Sequence, residues 1–350
     1  MPNLLTYARP AIALACAGAA LAAGYAYATG WLTPDRLTPQ AIIASFQTDF
    51  GRHDGYRRNH AKGVCVIGHF DGNGNASPYS RALVFGNLRT PVIGRFAVPG
   101  GNPSVADTAN PVRSLALQFT LPNGEQWRTG MNSTPVFVVN TPQGFYDNLQ
   151  ASRPLPGTGK PDPAKLQAFF DAHPESAAFR QWVKAHPPSS SFTNTRFYSI
   201  NAFELVDRNG NSHLARWSVI PQAAYAPLTP EAKAAPDSLQ HDLIDQLSHG
   251  PARWRLQLQL AQPGDPGNDA TKAWPEDRPV IDAGTLTLER AVTQDDGPCR
   301  DINFDPTILP QGIRPSDDPL LAARSGAYAR SYQLRTSEQA ARHAAQGEQP

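Results

Sequence analysis

Cysteine is nearly absent from this chain: its 350 residues hold three, Cys16, Cys65 and Cys299. So few exclude a small disulfide-knitted scaffold, and no Cys-x-x-Cys or Cys/His spacing builds a zinc site. Cys16 lies in an apolar N-terminal segment, which leaves one available bridge, Cys65–Cys299; two free thiols fit the sequence as well. Charge of one sign is missing too. Thirty-one Lys and Arg face 30 Asp and Glu for a net charge of +1, with no clustered basic stripe, which argues against nucleic acid as a partner. Long apolar runs are absent after the first thirty residues. What is abundant is proline, at 34 residues, and glycine, at 27, a composition that suits turns and long loops rather than a helical bundle.

Residues 1–33 stand apart. From Pro10 to Pro34 no charge interrupts an alanine-rich stretch, long enough to span a bilayer as a helix of about 20 residues. Tyr25, Tyr27 and Trp31 fit an interfacial belt, and Arg9 would hold the N-terminus in the cytoplasm. A cleaved signal peptide is the rival, since Ala26-Tyr27-Ala28 offers small residues for cleavage. Either reading exports the rest, so a periplasmic domain anchored in the inner membrane is expected, with secretion after cleavage as the alternative.

The body, residues 34–335, begins with an amphipathic helix over 37–46 and then turns β. Gly63–Phe70, Ala82–Phe85, Pro91–Val98 and Ser114–Leu121 carry strand texture, and Asn123-Gly124 marks a hairpin. Helices are expected from Phe145, over 163–172 and over 174–185. Strands resume at 197–206, 213–220, 254–260 and 285–288, around a helix at 237–247 whose Leu239, Leu243 and Leu247 share a face. A last helix runs over 318–332, and 336–350 reads as a polar C-terminal tail. Hairpins mixed with clustered helices define an α+β class with a large antiparallel sheet or barrel.

Two short stretches carry chemistry. His60 stands at the mouth of the 63–70 run, where an imidazole on a rigid strand can exchange protons, although a lone histidine there is more often a strand-end polar residue. Arg324 and Tyr328 stand four apart on the last helix and so share a face. A guanidinium beside a tyrosine favours tyrosinate, a hard anionic ligand for ferric iron. A metal reading of His53, His60 and His69 fits no common ligand spacing.

In order along the chain, Arg57-x-x-His60-Ala61-Lys62-Gly63, Gly94-Arg95-Phe96-x-x-Pro99-Gly100-Gly101-Asn102, Thr134-Pro135-Val136-Phe137, Asp269 to Pro275, and Asn303-Phe304-Asp305-Pro306 leading into Arg324-x-x-x-Tyr328 resemble the catalase superfamily. The similarity is to its small catalase-related peroxidases. It implies a catalase-core antiparallel β-barrel with surrounding helices, lacking the full C-terminal helical and flavodoxin-like domains. It also implies haem b and its iron. Tyr328 would then be the metal ligand, supported by Arg324. His60 would be the distal acid/base, Phe145 would stack on the haem, and Arg57, Arg95 and Arg335 would meet its propionates.

Departures shape the expected chemistry. Ala97 replaces the serine the family places behind its histidine, and Ser133 falls where its distal asparagine stands, with Asn132 one residue earlier. Asn132 and Ser133 are both candidates for the distal pocket. The resemblance therefore implies a peroxidase that reduces hydrogen peroxide or organic hydroperoxides with organic electron donors and has weak catalase activity. A hydroperoxide-rearranging enzyme like allene oxide synthase, or a non-catalytic membrane-tethered haem-binding module, are the alternatives. A homodimer is left open.

Overall fold

Strand β3 (Ser114–Thr120) shows how alternation builds this molecule. Leu115, Leu117 and Phe119 point into a closed core, each at most 1% exposed, whereas Ser114, Ala116 and Gln118 leave the opposite face. The computed structural model, which describes residues 4–28, 36–230 and 235–347, extends this pattern around a barrel. Its strands are β1 (Gly63–Gly72), β2 (Arg89–Ala97), β3 (Ser114–Thr120), β4 (Gln126–Asn132), β5 (Phe197–Tyr198), β6 (Phe203–Val206), β7 (Ser212–Pro221), β8 (Ala252–Leu260), β9 (Val280–Thr293) and β10 (Ile313–Pro315). The sheet runs β10-β6-β7-β5-β4-β3-β2-β1-β9-β8, and a β7–β8 pairing closes it. Eight strands thus form an antiparallel barrel, with β6 and β10 extending one side. Closure removes the exposed edges of those eight strands.

The barrel interior is packed with aromatic rings. Trp127 stacks on Phe119 at 4.6 Å and meets Trp217 edge-on at 5.0 Å. The Trp217 indole N–H donates to Thr129 Oγ1 at 2.9 Å, so its buried polar atom is satisfied.

Helices lie outside the barrel: α1 (Leu4–Ala28), α2 (Pro39–Phe50), α3 (Pro142–Ala151), α4 (Pro163–Ala172), α5 (Ala177–Ala185), α6 (Ser238–His249) and α7 (Pro319–Gln346). Sequence signals set their starts. Thr38, Thr141 and Asp162 each cap a helix whose first residue is proline, accepting from the N–H of Ala41, Gly144 and Ala164. Helix α2 buries Ile42, Ile43 and Phe46 against α3 and α7.

Several expectations change. Among the described residues no helix is long and apolar enough to cross a membrane, so the expected transmembrane helix is not found. Eleven of the 25 residues of α1 are alanine, whose methyl group carries little apolar surface. Ala82–Phe85 is not a strand: Leu83–Phe85 form a 3-10 turn. The single strand expected over 197–206 breaks into β5 and β6 at Ile200, whose φ is 66°. The last helix does not stop near 332 but continues to Gln346. Its extension is pinned by Glu338, which pairs with Arg58 and accepts from the Gly55 N–H at 2.9 Å. Cys65 and Cys299, separated by 234 positions, are joined in a disulfide with Cα atoms 5.4 Å apart. The remaining cysteine, Cys16, is exposed on α1.

Candidate active site

The outward face of the barrel carries several small residues beneath α2, α3 and α7. One register row carries Gly63, Ala97, Ser114, Asn132 and Tyr198 across five strands; the next carries Cys65, Arg95, Ala116 and Gly130. This low floor leaves a cavity of about 520 Å³ under the helices. His60, Arg57, Arg95, Asn132, Phe145, Arg324, Tyr328 and Arg335 all line it. Residues separated by more than 270 positions are thereby brought to one space.

His60 enters from the loop before β1 with φ at 56°, a left-handed conformation rare for a residue with a side chain. The strain is held by neighbours. Asn59 Oδ1 accepts from the His60 N–H and the Gly100 N–H, each at 2.9 Å, and the Ala61 N–H donates to Gly100 O at 2.9 Å. Gly101 must be glycine here, because a Cβ would approach Arg58 O to 2.7 Å. The imidazole is part-buried, open to the cavity, and its Nδ1 has no hydrogen-bond partner. Its pKa falls to about 3, first through burial and then through the charges of Arg95, Arg324 and Arg57; the Val98 backbone opposes this weakly. The ring is therefore neutral at physiological pH and able to accept a proton.

The opposite wall is α7. Asp318 caps it, accepting from the Leu320 N–H at 2.9 Å, while its second oxygen accepts from Asn201 Nδ2 at 2.8 Å. Asn201 Oδ1 in turn accepts from Arg324 Nη1 at 2.5 Å, and Arg324 Nη2 donates to Gly130 O at 3.1 Å. Arg324 lies 5.8 Å from the centre of the Tyr328 ring. The expected pairing is thus one of adjacency: the two terminal guanidinium nitrogens bond Asn201 and Gly130 rather than the phenol. Gly130 is the contact point, since a Cβ there would stand 2.8 Å from Arg324 Nη2 and 3.4 Å from the Tyr328 hydroxyl.

Three arginines gather along one side. Arg57 donates to Cys299 O at 3.0 Å and Ile302 O at 2.8 Å. Arg335 donates to Arg300 O and, at 3.1 Å, to Ile302 O. Arg95 donates to Ala61 O at 3.1 Å and Gln294 Oε1 at 2.5 Å, while its Nε has no partner. Burial, followed by the charge of Arg335, lowers the Arg95 pKa to about 9. Arg57 is likewise lowered, by burial and then by Arg95 and Arg335. Apart from Asp301, 3.8 Å from Arg335, these arginines have no ion-pair partner among the described residues. A group carrying anionic substituents fits there.

Other expected residues separate clearly. Phe145 on α3 lines the cavity and stacks with Phe137 at 5.7 Å. Asn132 faces the cavity, its Oδ1 accepting from Ser114 Oγ at 2.8 Å. Ser133 does not face it: its Oγ accepts from the Arg113 N–H at 2.9 Å, and its own N–H donates to Arg113 O at 2.8 Å. The preceding position, Asn132, thus supplies the amide, and the register expectation for Ser133 is corrected. Asn201 and Ile200 were missed, because nothing local marks residue 201 as a partner of residue 324. Among the described residues no group of three or more His, Cys, Asp or Glu could hold a metal ion, and the phenols of Tyr328 and Tyr332 both line the cavity.

This fold and cavity define a class. A family model described as Catalase matches residues 48–342. A catalase-related peroxidase of Synechococcus elongatus is 41% identical over 325 residues, which cover 92% of this chain and 96% of that protein. One from Mycolicibacterium paratuberculosis is 31% identical, covering 86% and 95%. A catalase of Rattus norvegicus is 29% identical, covering 77% of this chain and 54% of that one. A fungal catalase structure superposes with a TM-score of 0.72 at 21% identity, over 84% of this chain and 61% of its own. The chain belongs to the catalase family. It is an oxidoreductase that acts on peroxide, and haem is the cofactor of its family.

Proposed function

We propose that the protein is a peroxidase using haem b, which reduces hydrogen peroxide or organic hydroperoxides at the expense of organic electron donors and has weak catalase activity. The observation that carries the reading is the convergence of His60, Tyr328 and the three arginines on one cavity. The residues fit the cofactor: Tyr328 would supply its iron ligand, Arg57, Arg95 and Arg335 would meet its propionates, and Phe145 would lie along its face. Bound there, haem supplies the redox-active iron at which peroxide is reduced.

The chain's own residues supply the proton handling. Neutral His60 would take the proton from peroxide and return it to the departing oxygen, which avoids expelling hydroxide. Asn132 would orient peroxide through its amide. With Ala97 behind it, His60 gains no hydroxyl partner, and its Nδ1 is bare. Imprecise orientation of the ring penalises the second, catalatic use of peroxide more than the first, since that step needs a second peroxide aligned. Organic donors then complete turnover.

The compartment we infer is extracytoplasmic. The Cys65–Cys299 disulfide supports this, because such bonds persist in oxidising compartments. The alanine-rich leader points the same way.

The test is haem reconstitution of the purified protein, followed by parallel assays of oxygen release and donor oxidation. The expected result is a ferric haem spectrum with donor oxidation exceeding oxygen release. Oxygen release at the rate of full-length catalases would overturn the weak-catalase assignment.

A further inference from the structure

The disulfide lies inside the site rather than at the surface. Cys65 and Cys299 are both fully buried, in a cluster with Phe304 that also packs against Ile93, Ala116, Ile302 and Tyr328. Cys65 stands on β1 directly opposite Arg95 of β2. Cys299 opens the segment whose carbonyls hold the other two arginines: Cys299 O and Ile302 O accept from Arg57, and Arg300 O and Ile302 O accept from Arg335. One covalent bond therefore ties the strand pair carrying Arg95 to the acceptors of Arg57 and Arg335.

That bond meets a specific need. Three guanidinium groups share a confined space: burial disfavours the charged form of each, and repulsion adds to it at Arg57, from Arg95 and Arg335, and at Arg95, from Arg335. Segment 299–302 belongs to no helix or strand, so no ladder of backbone hydrogen bonds fixes it against the barrel. Without the bridge, repulsion among the arginines could push this segment outward. From these contacts we infer that the Cys65–Cys299 disulfide is a positioning element for the cofactor's anionic groups: it holds the carbonyls that aim Arg57 and Arg335 beside Arg95. Tight haem capture then requires the oxidised protein. This inference rests on the haem reading above.

The test compares two ligands on the apo-protein by optical titration: haem and haem dimethyl ester, whose propionates are uncharged. The variant is C65V/C299A, which removes the bridge while valine refills the strand position; C65A/C299A is the second variant should the first fail to give the wild-type circular dichroism spectrum. The expected result is a haem affinity weakened by about 10-fold, the range for losing support behind a binding group, with diester affinity unchanged. Equal weakening of both ligands would mean general loosening of the cavity and would overturn the proposal. So would unchanged haem affinity in a folded variant. Should the wild-type protein itself bind no haem, the haem reading fails and takes this inference with it.

Discussion

The two walls of the cavity are built by opposite means. On the α7 side every link is a hydrogen bond: Asp318 caps the helix and holds Asn201, Asn201 holds Arg324, and Arg324 reaches Gly130 beside the Tyr328 hydroxyl. On the β1 side the His60 ring has a bare Nδ1 and is placed by a left-handed backbone and the packing around it. The first wall resists displacement because each partner is itself anchored. The second fixes the backbone and gives the ring no comparable chain of anchors. An iron ligand has to stay in one place, whereas an imidazole that moves one proton tolerates more freedom. On the peroxidase reading proposed above, this contrast would favour peroxide cleavage over catalatic turnover, which needs a second peroxide held in line.

The largest effect should come from removing the phenol on the α7 wall. Tyr328→Phe is expected to abolish the wild-type ferric haem spectrum on reconstitution, because on the reading proposed above its oxygen is the iron ligand; an unchanged spectrum would show that the walls are assigned wrongly. Next comes His60→Ala, which should lower kcat/KM for peroxide by about 10²- to 10⁴-fold with haem still bound, the usual range for a lost acid/base. Pre-steady-state mixing with peroxide reads this directly, and loss of haem in the same variant would count against the division of labour.

The same histidine predicts a pH dependence of stability in the apo-protein. Its folded pKa of about 3 lies below the ordinary 6.5, so between these values the unfolded chain binds a proton that the folded chain does not. Its contribution is thus present above pH 6.5 and lost as pH falls toward 3. Thermal melts of wild-type and His60→Gln should therefore diverge progressively over that window, with wild type falling more steeply.

Asn201→Ala removes one charge-assisted bond from Arg324, and about 1.5–3 kcal/mol of stability should go with it, seen as a lower Tm. The smallest change sharpens the comparison from the other side. Ala97→Ser places a hydroxyl on the register row that flanks His60, and oxygen release should rise a few-fold relative to donor oxidation, by about the weight of one hydrogen bond. A ratio that does not move would separate ring freedom from catalase weakness.

Much of the barrel was legible because its signals are local. Ser114–Leu121 alternates, Asn123-Gly124 turns, and β3 and β4 follow as a hairpin. Caps at Thr38, Thr141 and Asp162 likewise set helix starts that the chain carries on its own. The failures share a cause. Ile200 has strand character, yet its backbone turns so that Asn201 meets Arg324 and Asp318. Residues after Thr336 are polar, yet they remain helical because Glu338 finds Arg58 and Gly55 across the chain. In both cases long-range contacts overrode local preference.

The same division runs through the site. By itself the sequence determined which residues could do the chemistry: His60, Tyr328, Arg324 and the three arginines are visible as types in an ordered pattern. Only the tertiary structure decided that Asn132 rather than Ser133 faces the cavity, because a strand sends neighbours to opposite faces and its register is set by partner strands. Only the tertiary structure paired Cys65 with Cys299 across 234 residues, since which two points of a chain meet is a property of its packing.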